Sequence, residues 1–147
     1  MDDGLDALRA MAAKRWAARK RPAHEESRLQ RACKAWFDLA HPKLAPLLFA
    51  VPNGGRRNAR EAAIMKAEGV VAGVADLLLL VPRGGCGALC VEMKTGKGRQ
   101  SAAQREWQRA AEAAGNRYVV CRSLDGFRAA VEEYLGSVRF GGAAGNE

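Results

Sequence analysis

The chain has 147 residues, 48% of them apolar and 27% charged, which suits one globular domain with a real core and is too short for two. Its formal charge of +8 favours a polyanionic partner, nucleic acid foremost. No apolar run approaches the roughly 20 residues that cross a bilayer, and acids precede any apolar stretch at the N-terminus, so neither a membrane span nor a secretion signal is read.

Residues 1–22 form an Ala/Arg/Lys-rich leader of helical composition. Six bases (Arg9, Lys14, Arg15, Arg19, Lys20, Arg21) against three acids (Asp2, Asp3, Asp6) give it +3 and leave +5 on the remainder. It reads either as a loosely docked arm or as an arm that contacts a polyanion. A helix over 25–40 carries the apolar stripe Leu29, Cys33, Trp36, Phe37 and Ala40 and stops at Pro42. The short run Leu47–Val51 is a strand closed by the turn Pro52-Asn53-Gly54-Gly55. A short helix spans 60–68 and ends at Gly69. Asp76 opens the aliphatic run Leu77–Val81, of the kind buried on both faces of a sheet.

Pro82-Arg83-Gly84-Gly85 then turns the chain into a strand over 87–94. A helix over 102–114 is capped by Gly115, a strand covers 117–122, and a last helix covers 124–135. The tail Gly141–Glu147 reads as disordered. This order, αβαββαβα, predicts an α/β fold: a mixed sheet flanked by helices, with the runs 77–81 and 87–94 as a central hairpin. The four cysteines (Cys33, Cys86, Cys90, Cys121) lack the spacing of a zinc site and read as reduced core thiols, as expected of a cytoplasmic protein.

Glu92-Met93-Lys94 carries the most chemistry. On a strand Glu92 and Lys94 point one way and Val91 and Met93 the other. Burying an acid and an amine together costs several kcal/mol, on the order estimated for unpaired ions, unless pairing, a metal or an anion compensates. A salt-bridged strand end explains the pair; so does chemistry on a phosphate diester. The hairpin brings Asp76 next to Glu92, and Gly73 allows close backbone approach nearby. Asp76 fits a turn residue at a strand start, and it fits a metal ligand. Two carboxylates at the open end of neighbouring strands suit Mg²⁺, with the Met93 carbonyl as a third candidate ligand.

Glu26 shares a helix face with Leu29 and Cys33, and Glu25 lies only slightly off it, so helical phase does not choose between them. An acid at a helix N-terminus is also favoured by the macrodipole alone. Ser101-Ala102-Ala103-Gln104 fits a capping box. Gln104 alternatively orients a water or the lysine. Asn53, Arg56, Arg57 and Arg60, in the glycine loop and just beyond it, together with Lys97 and Arg99, form a basic rim suited to phosphate. His24 and His41 do not cluster and carry no assigned role.

Taken in order, these pieces resemble the VRR-NUC (virus-type replication-repair nuclease) family of the PD-(D/E)xK nuclease superfamily. The resemblance runs from about residue 26 to 135, through the helix acid, the Pro52-Asn53-Gly54-Gly55 turn, Glu68-Gly69, Gly73-Val74-Ala75-Asp76, Glu92-Met93-Lys94 and Gln104-Arg105-Glu106-Trp107. It implies a restriction-endonuclease-like core over 23–136, between the arm 1–22 and a flexible tail 137–147. It also implies a Mg²⁺- or Mn²⁺-dependent phosphodiesterase acting on DNA, with no small-molecule cofactor. Asp76 and Glu92 would hold the metal, with Glu26 as the helix acid. Lys94 would position the attacking water or stabilise the transition state, and Gln104 would support the site. Ala75 replaces the family's usual proline. Family members of this compact kind resemble phage or prophage enzymes, some acting as dimers on branched DNA such as four-way junctions. The resemblance thus implies a branched-DNA endonuclease in the cytoplasm of a bacterium or an infected host. The alternatives are a nuclease of simple DNA ends and a non-catalytic DNA-binding module on the same scaffold.

Overall fold

The structure is a computed structural model that describes residues 3–52 and 58–137, with the side chains of 3 and 16–23 outside that description. Four helices, α1 (Asp3–Ala40), α2 (Ala59–Ala67), α3 (Ala102–Ala113) and α4 (Leu124–Gly136), alternate with four strands. These are β1 (Leu48–Ala50), β2 (Leu77–Leu79), β3 (Leu89–Met93) and β4 (Arg117–Cys121). The order is the one that the sequence predicts, and the spans agree to within a few residues except in α1. That helix is 38 residues long and runs unbroken through the expected leader into the domain. A short 3-10 turn, Ala45–Leu47, was not anticipated; it places Pro46 near a helix start, where its missing N–H is tolerated.

The sheet order is β1-β2-β3-β4. β2 pairs antiparallel with both β1 and β3, while β3 and β4 are parallel and joined through α3. β3 is buried at all five positions, as a central strand covered on both faces must be. One face carries Leu48, Leu77, Leu79, Leu89, Val91 and Met93, packed with Cys33 and Phe37 of α1 and Phe127, Val131 and Tyr134 of α4. Removing each of these large apolar side chains from water contributes about 2 kcal/mol. The other face is covered by α3 through a smaller cluster of Ala75, Cys90, Ala111 and Tyr118, with Leu78 and Trp107 at its margin.

The helix boundaries have local causes. Asn58 accepts the Glu61 N–H at the start of α2, and Gly69 ends that helix at φ +103°, a conformation that needs no Cβ. Ser101 and Gln104 close a reciprocal capping box on α3, and Ser123 caps α4 by accepting the Gly126 N–H. The cysteines are free; burial pushes the thiols of Cys33 to about 12 and of Cys90 and Cys121 to about 11, which keeps them protonated. No helix among the described residues is long and apolar enough to cross a membrane.

Candidate active site

The β2–β3 register sets Leu77 opposite Val91, which makes Asp76 and Glu92 neighbours at the end of the two strands. Asp76 Oδ2 accepts the Met93 N–H at 2.7 Å, so the carboxylate ties the start of β2 to the end of β3. The sequence expectation that Glu92 and Lys94 share a face is met: Lys94 Nζ lies 3.2 Å from Glu92 Oε1, while Val91 and Met93 face the main core. Glu92 is 1% exposed and Lys94 8%. Such burial of an acid beside an amine is unusual and leaves little water to satisfy a charge on either.

Gln104 forms the capping box that its sequence context predicts, and its other end reaches Glu92. Its Oε1 accepts the Ser101 N–H at 2.8 Å, completing the capping box, and its Nε2 donates to Glu92 Oε1 at 2.7 Å. The amide therefore orients the carboxylate rather than the lysine. Gly73 supplies the close approach expected of it. At φ +83°, a Cβ there would sit 2.3 Å from the Ala103 carbonyl oxygen and 2.8 Å from the Gln104 nitrogen. The loop that delivers Asp76 is thus pressed against the first turn of α3, which delivers Gln104.

Electrostatics follow from this packing. Burial pushes the Glu92 carboxyl up to about 7; the Asp76 charge pushes the same way, and Lys94 opposes. Burial likewise raises Asp76 above the ordinary carboxylate range, against the Met93 N–H and Lys94. Two acids in this state gain from any cation that displaces the proton.

A cavity of about 590 Å³ opens beside Asp76, Leu77 and Met93, and α1 lines it with Glu26, Gln30 and Lys34. Glu26 is half-buried and Glu25 exposed, so the fold turns Glu26 toward the site. A Cβ on Gly98 would lie 3.6 Å from both Glu26 Oε1 and Lys94 Cδ, so a bare backbone separates the two. Among the described residues, no three His, Cys, Asp or Glu side chains converge as a closed metal cage. The donor set that does form, Asp76 and Glu92 with the Met93 backbone alongside, fits a hard cation that keeps several waters.

The expected basic rim is described only in part. Arg60, in the first turn of α2, and Lys97 and Arg99, beyond β3, are exposed. Asn53, Arg56 and Arg57 lie outside the described residues. His41 packs beside Trp36 and Phe37, away from any chemistry. The sequence reading missed Tyr118 and Gln100: the Tyr118 hydroxyl donates to Glu92 Oε2 at 3.4 Å and accepts from Gln100 Nε2 at 3.2 Å. One signal was available, because a tyrosine on an inward strand position needs a partner for its hydroxyl.

The family model of the VRR-NUC domain matches residues 24–125. The chain belongs to the VRR-NUC family. A solved structure described as a VRR_NUC domain protein is 26% identical, with a TM-score of 0.69, over 80% of this chain and 93% of that one. No match was found among curated proteins. VRR-NUC domains are nucleases of the PD-(D/E)xK type, so the chain is a nuclease and its substrate is DNA. In this VRR-NUC domain the residue before the motif aspartate, Ala75, is fully buried against Cys90, Ala111 and Tyr118. That position serves packing, which a small apolar residue satisfies as well as a proline.

Proposed function

We propose that this VRR-NUC domain is a Mg²⁺- or Mn²⁺-dependent endonuclease that hydrolyses phosphodiester bonds in branched DNA. The observation that carries the reading is the convergence of Asp76, Glu92 and Lys94 at the end of two adjacent strands, where Asp76 also lines an open cavity. Asp76 and Glu92 would hold the cation, with the Met93 carbonyl beside them and Glu26 across the cavity. When bound, a divalent ion supplies Lewis acidity to the phosphate and lowers the pKa of a water.

The chain's own residues account for the rest. Lys94, held by Glu92, presents a fixed positive charge to a phosphate oxygen or to the attacking water. Gln104 anchors one oxygen of the Glu92 carboxylate. Arg60 and Lys97, with Asn53, Arg56 and Arg57 of the glycine loop, engage the DNA backbone. Backbone contacts carry no base code, so recognition is by DNA shape and weakens steeply with salt. The branched substrate is carried over from the family members that act on four-way junctions. A homodimer is the natural assembly for a two-fold junction.

The test is a panel of linear duplex, single-stranded, flap, fork and four-way DNA with Mg²⁺ and with Mn²⁺. Symmetric paired nicks near the crossover of the four-way substrate are expected, and end-proximal products would indicate an exonuclease. Glu92→Ala and Lys94→Ala should abolish cleavage while DNA binding persists; retained cleavage in either would sink the catalytic assignment.

A further inference from the structure

We infer that Tyr118 is a positioning residue for Glu92: together with Gln100 it fixes the plane of the carboxylate that meets the metal. The inference rests on the reading of Glu92 as a metal ligand.

Three elements converge on the Glu92 side chain. Lys94, just past the end of the same strand, and Gln104 of α3 both reach Oε1, at 3.2 and 2.7 Å. Contacts to one oxygen alone leave a carboxylate free to pivot about the bond behind it. Tyr118, from β4, reaches the other oxygen at 3.4 Å and thereby opposes that rotation.

The direction of the Tyr118 hydroxyl proton follows from its neighbours. Gln100 Nε2 donates to Tyr118 Oη at 3.2 Å, and the same Nε2 lies 2.9 Å from Gln108 Oε1, on α3. With a donor already on its oxygen, the hydroxyl turns its hydrogen toward Glu92 Oε2. The ring is well held. It is 8% exposed, its strand pairs Tyr118 with Cys90 in the parallel ladder, and Trp107 packs against it with ring centroids 6.2 Å apart. At 3.4 Å the contact is longer than an ordinary O–H···O bond. Hydrogen bonds of this kind are often long in unloaded enzymes and tighten in the working complex.

A partner that orients a metal ligand is worth roughly 10- to 100-fold in metal affinity or activity. The experiment compares the full-length wild type with Glu92→Ala, Tyr118→Phe and Gln100→Leu. It measures Mn²⁺ binding directly by paramagnetic resonance or calorimetry, kcat and KM on the cleaved DNA, and thermal stability. Tyr118→Phe keeps the ring and loses only the hydroxyl. It should weaken Mn²⁺ binding by about 10-fold or more and lower kcat at saturating DNA, with KM for DNA unchanged. A merely structural role would lower Tm and leave the Mn²⁺ midpoint of the folded protein where it was.

Wild-type Mn²⁺ affinity in folded Tyr118→Phe overturns the assignment and leaves the metal-site reading standing, provided Glu92→Ala has lost binding. Mn²⁺ affinity unchanged in Glu92→Ala overturns both. Should Tyr118→Phe lose its fold, Gln100→Leu carries the test, since it keeps the tyrosine and frees its hydroxyl. A weakened Mn²⁺ midpoint then supports the assignment and a wild-type midpoint overturns it.

Discussion

Gln104 grips Glu92 with one end of its amide and the backbone of Ser101 with the other. The Ser101 N–H can only donate, so Gln104 Oε1 must face it and Nε2 is left to donate to Glu92 Oε1 at 2.7 Å. A helix cap thereby anchors one oxygen of the buried Glu92 carboxylate, the group proposed to meet the metal.

Two substitutions separate those duties. Gln104→Glu keeps the S-x-x-E form of the capping box but sets a carboxylate against Glu92. The cap hydrogen bond survives, but repulsion at the buried Glu92 should lower Tm, more so as pH rises, and cleavage should fall by about 10-fold or more. Gln104→Ala loses both contacts and should cost about 1 kcal/mol in denaturant unfolding as well as activity. Equal, full activity in the two variants would remove Gln104 from the site.

Glu92 gives the metal-free protein a pH dependence whose sign can be stated. Its carboxyl is lifted from 4.5 to about 7, first by burial and then by the Asp76 charge. The folded state therefore keeps a proton that the unfolded chain has released. This contribution to stability is complete below the unfolded value, is lost as pH rises through about 7, and is absent above that. Thermal melts in chelator should show Tm falling from about pH 5 to about pH 8. Mn²⁺ should raise Tm more at the upper end of that window, because cation and proton compete for the same carboxylates. A chelated Tm that climbs across the window contradicts the buried-acid description.

Gly73 is a second point of leverage, distant in sequence from the helix it touches. A Cβ would stand 2.3 Å from the Ala103 carbonyl oxygen, and φ is +83°. Gly73→Ala should destabilise the fold by about 3 kcal/mol or more and part the Asp76 loop from α3. Cleavage, measured well below the melting temperature, should fall as well. Normal stability in this variant would show that the two segments are not in contact.

Glu26 and Glu25 differ in what they face, and charge-neutral substitutions read that difference. Glu26 lines the cavity with Asp76 and Met93, while Glu25 is exposed to solvent. Glu26→Gln should lower cleavage at limiting Mg²⁺ by about 10-fold, with partial recovery at high Mg²⁺. Glu25→Gln should match wild type across the same titration. The reverse ranking would assign the helix acid to Glu25.

Much of the arrangement is legible from local pattern. The aliphatic run beginning at Leu77, the Pro82-Arg83-Gly84-Gly85 turn and the strand carrying Glu92 specify a hairpin, and a hairpin makes Asp76 and Glu92 neighbours. Alternation along β3 puts Glu92 and Lys94 on one face without reference to anything distant. The 3-10 turn at Ala45–Leu47 and the unbroken course of α1 escaped the reading. Short turns and long polar helices carry little periodic apolar signal.

Residue order and periodicity alone therefore determined the succession of elements, the central hairpin, the acid–lysine face and the capping role of Gln104. These depend on spacings of two to four residues or on a tight turn, where backbone geometry dictates which side chains meet. Tertiary structure decided what Gln104 holds, which of Glu25 and Glu26 lines the cavity, and that Tyr118 reaches Glu92 from β4. Each of those outcomes hangs on how a helix is rotated against the sheet or on the register of a parallel crossover pair. Such choices are settled by packing among residues far apart in the chain, and no local spacing encodes them.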